Sequence, residues 1–289
     1  MSPTCPLCVP SVSLSVPHCS WWSLPTMAPL AHTLALLAMT VATAAIEEFP
    51  LDMAWESFDD QYRGCGPNMT VALPALNRSD FQSNPYFAQF WAKAKAEWQK
   101  RGSPVSPLSS PDQAIAIMAY TMLDVHKDFN NAVHVAGRSP QEYRDNFHFK
   151  MFHFLLTQAL VTLRDARGPQ CRNVFRGARR YRLKAQTGDT VRFGRFTSTS
   201  RIKETALCFG TNMAFKVHTC HGVDIRDFSM HPPEEEVLIP PFETFKVTNV
   251  THGGQMPWIE LHSTGTSSKY NCEWLRGDTR ALALVTSII

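Results

Sequence analysis

The first 45 residues of this 289-residue chain hold no Asp, Glu, Lys or Arg; the first charged side chain is Glu47. Over the whole chain 28 basic residues face 25 acidic ones, a net charge of +3 that supplies no electrostatic footprint for a nucleic acid. Within the uncharged stretch the apolar run from Leu34 to Val41 is far short of the roughly 20 residues that span a bilayer. No G-x-G-x-x-G turn follows a strand pattern, which argues against a dinucleotide-binding Rossmann unit.

What is present is a globular composition, 44% apolar and 11% aromatic. Ala42-Thr43-Ala44 closes the short apolar run with the small residues of a secretory cleavage site, so residues 1–45 read as a leader, with Met27 as its working start. Of eight cysteines, Cys5, Cys8 and Cys19 leave with it. Cys65, Cys171, Cys208, Cys220 and Cys272 remain, none in C-x-x-C spacing, which makes a zinc site a poor reading. In an oxidising compartment they imply two disulfides and one odd thiol, and Cys208 in a short apolar helical pattern reads as a buried one. Sequons at Asn68, Asn77 and Asn249 agree with secretion and glycosylation.

From residue 49 to 167 the periodicity is helical, with segments predicted at 84–101, 111–127 and 139–167. Ser139-Pro140-Gln141-Glu142 opens the third with an N-cap Ser, Pro at the first helical position and a Glu in capping-box register. Its Phe147, Phe149, Phe152, His153 and Phe154, with His148, read as core rather than as a cofactor box. After Gly168-Pro169 the pattern changes to short strands at 173–177, 190–200, 214–219, 223–228, 236–239, 244–250 and 258–262. A helical half followed by a strand half is an α+β fold, divided as 46–168 and 169–289.

Three places in the second half put polar groups where a strand would pack. Val174-Phe175-Arg176-Gly177 ends a strand in Arg and a Gly that permits close backbone approach. Phe196-Thr197-Ser198-Thr199-Ser200 ends in hydroxyls, with Ser198 and Ser200 on one face by period-two alternation. Glu234-Glu235-Glu236 runs into Val237-Leu238-Ile239, and Glu234 shares a face with Glu236 if the strand begins early enough. The cluster Arg179, Arg180, Arg182 and Lys184 reads as a solvated turn.

The order Arg, Ser-x-Ser, Glu-x-Glu, each on its own strand, resembles the arginine-type mono-ADP-ribosyltransferases, in detail their vertebrate ecto-enzymes. Phe58-Asp59-Asp60-Gln61-Tyr62-Arg63-Gly64-Cys65 looks like the start of that family's mature domain, and the likeness runs from Leu51 to Leu275. It implies a helical subdomain packed on an NAD-binding clamp of two facing β-sheets. It also implies transfer of ADP-ribose from NAD+ or NADP+, as substrate, to arginine side chains of extracellular or secretory-pathway proteins or to small guanidino compounds. By residue it implies Arg176 on the phosphates, Gly177 near the nicotinamide, and Ser198 on the nicotinamide ribose. Thr199 and Ser200 complete the motif, Glu236 is the catalytic acid, and Glu234 takes the acceptor arginine. It pairs Cys65 with Cys272 and Cys171 with Cys220, and implies no metal, no tightly held cofactor and a monomer. Two other readings on the same scaffold are an NAD glycohydrolase and a silent binding or surface-antigen protein. Residues 281–289 are predicted as a final strand of a secreted chain, with a glycolipid anchor as the alternative.

Overall fold

The computed structural model describes residues 46–122, 125–179, 181–251 and 256–277. The leader, Arg180 and the segment 281–289 lie outside them.

After a short strand at Glu47–Pro50 come six helices: α1 (Gly66–Ser83), α2 (Pro85–Lys100), α3 (Pro111–Thr121), α4 (Val125–Ala136), α5 (Pro140–Asn146) and α6 (Lys150–Arg167). Three of them start alike. Asn84, Ser110 and Ser139 accept from the amides of Phe87, Gln113 and Glu142, with Pro at the next position. Helix α6 has no cap of its own; Asp80 of α1 accepts from the Met151 amide at 2.7 Å instead. Burial pushes the Asp80 carboxyl up to about 6.

Two expected helices are each two. The 111–127 segment breaks after Thr121, and the 139–167 segment breaks at Phe147, so that each piece turns its own apolar face to the core. Helix α1 gave no distinct signal because it carries Pro74 in its interior and only Met69, Leu76 and Asp80 are buried. His153 is fully buried, bonded to the Tyr62 hydroxyl at 2.8 Å and held by burial at a pKa of about 3, in agreement with a core role.

The strands are β1 (Glu47–Pro50), β2 (Arg172–Ala178), β3 (Tyr181–Lys184), β4 (Thr190–Val191), β5 (Thr197–Ser200), β6 (Met213–Thr219), β7 (Val223–Asp224), β8 (Glu236–Ile239), β9 (Glu243–Thr251) and β10 (Trp258–Thr266). The expected strand 190–200 is broken, because the chain turns at Gly194 with φ +61° and buries Arg192. The expected strand 223–228 stops at Asp224 and closes in a short helical turn, Arg226–Phe228. Between β5 and β6 lies α7 (Lys203–Cys208), and α8 (Glu273–Gly277) follows β10. Cys208 is half-buried rather than buried, its thiol on the Glu204 carbonyl at 3.5 Å.

The main sheet has the order β4-β9-β10-β6-β2-β5-β8-β7, with β10 and β6 parallel and the other neighbours antiparallel. Its two parts, β4-β9-β10-β6-β2 and β5-β8-β7, meet through the single register pair Phe175 and Ser200. The two sheets implied by the resemblance are thus halves of one ladder that part beyond that pair. Disulfides join Cys65 to Cys272 and Cys171 to Cys220. No helix among the described residues is long and apolar enough to cross a membrane.

Candidate active site

A cavity of about 290 Å³ opens where β2 and β5 part. Arg176 and Gly177 line it from β2, Phe196 and Ser198 from the β5 side, and Glu234 and Glu236 from the entry to β8. Tyr120 and Asn130 line it from the helices.

Arg176 spans the opening: its Nη1 donates to the Ser198 carbonyl at 2.6 Å, and the guanidinium also donates to the Tyr181 hydroxyl. A planar fork with five donors holds both and still presents N–H groups to the cavity. Gly177 is required for packing as well as access, since a Cβ there would collide with the carbonyl oxygens of Gly210 and Ala206.

The Ser198 hydroxyl lies 3.4 Å from the Tyr120 oxygen and hydrogen-bonds the Glu236 carboxyl. Tyr120 in turn donates to the Phe196 carbonyl at 2.8 Å and accepts from Asn130 Nδ2 at 3.2 Å. Burial, with the neighbouring Glu236 charge, pushes the Tyr120 phenol up to about 12, so it remains protonated. The result is a chain of fixed dipoles that orients the Glu236 carboxyl.

Glu236 begins β8 opposite Ser200 and is 7% exposed. Burial raises its pKa to about 7, Ser198 and Arg176 pull it down, and Glu234 pushes it up. The strand does not reach Glu234. That residue ends a short helical turn, Pro232–Glu234, and Glu235 then adopts a left-handed conformation (φ 46°, ψ 48°). This reversal, not strand alternation, brings both acids to one cavity. Burial raises the Glu234 pKa, and its Oε1 is buried with no hydrogen-bond partner. A buried carboxylate oxygen left unpaired is costly and marks a place for a donor.

Thr199 and Ser200 do not line the cavity. Thr199 Oγ1 donates to the Val237 carbonyl and Ser200 Oγ to the Glu234 carbonyl, each at 2.6 Å, so both secure the acidic segment from behind. Tyr120, Asn130 and Tyr181 were not found from the sequence. Tyr120 sits in a run of Ala, Ile and Met that reads as core, and Tyr181 in a basic stretch that reads as a turn. Asn68 and Asn249 are exposed and Asn77 half-buried.

A helical subdomain thus packs on a split mixed sheet, with an arginine, a serine and two carboxylates gathered in the split. The chain belongs to the NAD:arginine ADP-ribosyltransferase family, whose family model matches residues 51–269. It is 48% identical over 262 residues to the erythroblast NAD(P)(+)--arginine ADP-ribosyltransferase of Gallus gallus, covering 86% of this chain and 87% of that one. It is also 48% identical over 242 residues to the GPI-linked NAD(P)(+)--arginine ADP-ribosyltransferase 1 of Mus musculus, covering 80% and 74%. The crystal structure of the mono-ADP-ribosyltransferase ART2.2 matches with a TM-score of 0.67 at 35% identity, over 78% of this chain and 98% of that one. A mutant of ART2.2 solved in complex with NAD matches with the same TM-score at 34% identity, again over 78% and 98%.

Proposed function

We propose that this cleft breaks the bond between ribose and nicotinamide in NAD+ or NADP+ and passes the ADP-ribose to the guanidino group of arginine, on proteins or on small guanidino compounds. The observation that carries this reading is the pair of carboxyls in one cavity with different surroundings. Glu236 is oriented by Ser198, while Glu234 keeps an unpartnered oxygen.

The Arg176 fork takes the pyrophosphate oxygens, and the Gly177 main chain borders the nicotinamide. As the C1′–N bond breaks, its electron pair leaves with nicotinamide and positive charge grows on the ribose. A carboxylate at Glu236, fixed before the reaction begins, stabilises that charge without reorganising. The acceptor guanidinium, with a pKa above about 12, is a poor nucleophile until it loses a proton. Glu234 holds it and accepts that proton as its nitrogen attacks C1′. Without that hold water attacks instead and free ADP-ribose results.

The two disulfides suit an oxidising compartment. With relatives named as GPI-linked, they support work at the cell surface or in the secretory lumen.

The test uses NAD+ labelled in its adenylate half, with agmatine as acceptor. Glu234→Gln should lose label on agmatine while free ADP-ribose continues, and Glu236→Gln should lose both. Free ADP-ribose alone from the unaltered protein would make it a glycohydrolase, and no turnover by folded protein would leave a silent binding protein.

A further inference from the structure

The segment 229–235 carries Glu234 to the cleft, and different parts of the molecule hold its two ends. At the far end, β5 and the residue after it supply the partners: Ser200 Oγ donates to the Glu234 carbonyl at 2.6 Å and the Arg201 amide to the Glu235 carbonyl at 3.3 Å. Between the ends the bonds are local, from the amides of His231, Glu234 and Glu235 to Ser229 Oγ and the carbonyls of His231 and Pro232. The near end is held from the helical subdomain. Arg101, the C-terminal cap of α2, donates from Nη1 to the Ser229 carbonyl at 2.8 Å and from Nη2 to the Met230 carbonyl at 3.4 Å. Its Nε is engaged by Glu97 Oε1, one turn earlier, at 2.9 Å. The Met230 amide donates to Thr121 Oγ1 at 2.9 Å.

Arg101 does not line the cavity. Arg176, Ser198 and Glu236 are placed by β2, β5 and β8, whose pairing owes nothing to α2. A fork held by a carboxylate at one edge and grasping two successive carbonyls at the other fixes a backbone more narrowly than a single bond would.

We propose that Arg101, oriented by Glu97, is a positioning residue for the transfer step: it sets where Glu234 presents its carboxylate to the acceptor and so divides ADP-ribose between arginine and water. This rests on the reading of Glu234 given above. NAD cleavage itself, run by side chains on the sheet, is independent of Arg101.

The experiment measures agmatine labelling, free ADP-ribose, and the KM values of NAD+ and agmatine for the full chain and for Arg101→Ala, Arg101→Lys and Glu97→Gln. Amide hydrogen exchange over 229–235 is followed in parallel. Charge-assisted bonds of this kind set the expected size: the agmatine KM of Arg101→Ala rises about tenfold, while hydrolysis and the NAD+ KM stay within about twofold. Exchange at 229–235 quickens in the same variant. Arg101→Lys recovers part of the transfer because an ammonium can keep one carbonyl, and Glu97→Gln falls between the two. Parallel loss of transfer and hydrolysis would reduce Arg101 to a structural cap, and faster exchange with unchanged transfer would overturn the proposal equally. Unaltered protein that releases only ADP-ribose would instead overturn the reading of Glu234; in that case unchanged exchange in Arg101→Ala would refute the positioning role independently.

Discussion

Arg176 Nη1 donates to the Ser198 carbonyl across the point where the sheet divides, 2.6 Å away and one residue along β2 from the last register pair. The guanidinium therefore braces the opening while presenting its remaining donors to the cavity. Arg176→Lys should fail in both respects, because a point-like ammonium cannot fork. We expect the NAD+ KM to rise at least about tenfold, with a smaller fall in kcat at saturation, since phosphate contacts lie far from the breaking bond. Initial rates over a range of NAD+ concentrations decide this; an unchanged KM would remove Arg176 from the phosphate site.

Glu236 makes a pH prediction with two opposite signs. Its action requires the carboxylate, and burial has moved its pKa from 4.5 to about 7, so cleavage of NAD+ should decline as pH falls through about 7. For stability the folded state holds this proton more tightly than the unfolded chain. The acid's contribution is then most favourable at low pH and is lost as pH rises from about 4.5 to above 7. Glu236→Gln should therefore be more stable than the unaltered protein at pH 8, by at most about 3 kcal/mol, and no more stable at pH 4. Urea midpoints at the two pH values test it, and a variant less stable at both would refute it.

A buried ion pair joins the N-terminal stretch to the end of the sheet. Arg192 Nη1 meets Asp59 Oδ2 at 2.7 Å, both side chains fully buried, and Asp59 also accepts from the amides of Lys269 and Tyr270. Removing one partner strands the other charge. Asp59→Ala should cost about 3–5 kcal/mol. Chemical denaturation measures it, and a loss below about 1 kcal/mol would mean that the pair contributes as little as an exposed one.

The residues proposed to face NAD+ along the sheet were legible because strand order and motif order coincide: Arg176, Ser198 and Glu236 each lie in a short polar interruption beside an apolar run. The route by which Glu234 joins them was not. It depends on a left-handed Glu235, and nothing in three consecutive glutamates signals which of them will leave the extended region. Tyr120 and Asn130 were hidden for a different reason. A helix that faces a cavity and one that faces a core show the same apolar period, and only the neighbouring sheet decides which polar tip finds a ligand. The splitting of 111–127 and 139–167 was equally hidden, since two helices in succession with apolar faces in near register read as one.

The two disulfides should differ in what they contribute, because they close loops of very different length, 207 residues against 49, although hydrogen bonds already join the chain beside each. Cys171 and Cys220 flank strands β2 and β6 where Arg172 already pairs with Thr219, so the bridge adds to a contact the ladder makes. Cys65 and Cys272 are 207 residues apart and tie the start of α1 to the segment before α8. In the chain-entropy model a loop of that length is worth about 5 kcal/mol as a ceiling. The double change Cys65→Ser, Cys272→Ser should therefore lower stability more than Cys171→Ser, Cys220→Ser. It should also spare activity well below its melting point, since neither cysteine lines the cavity. Melting and NAD+ turnover of the two double variants test the order. Equal losses, or inactivity of folded Cys65→Ser, Cys272→Ser protein, would show that this bridge shapes the cleft rather than merely limiting the unfolded chain.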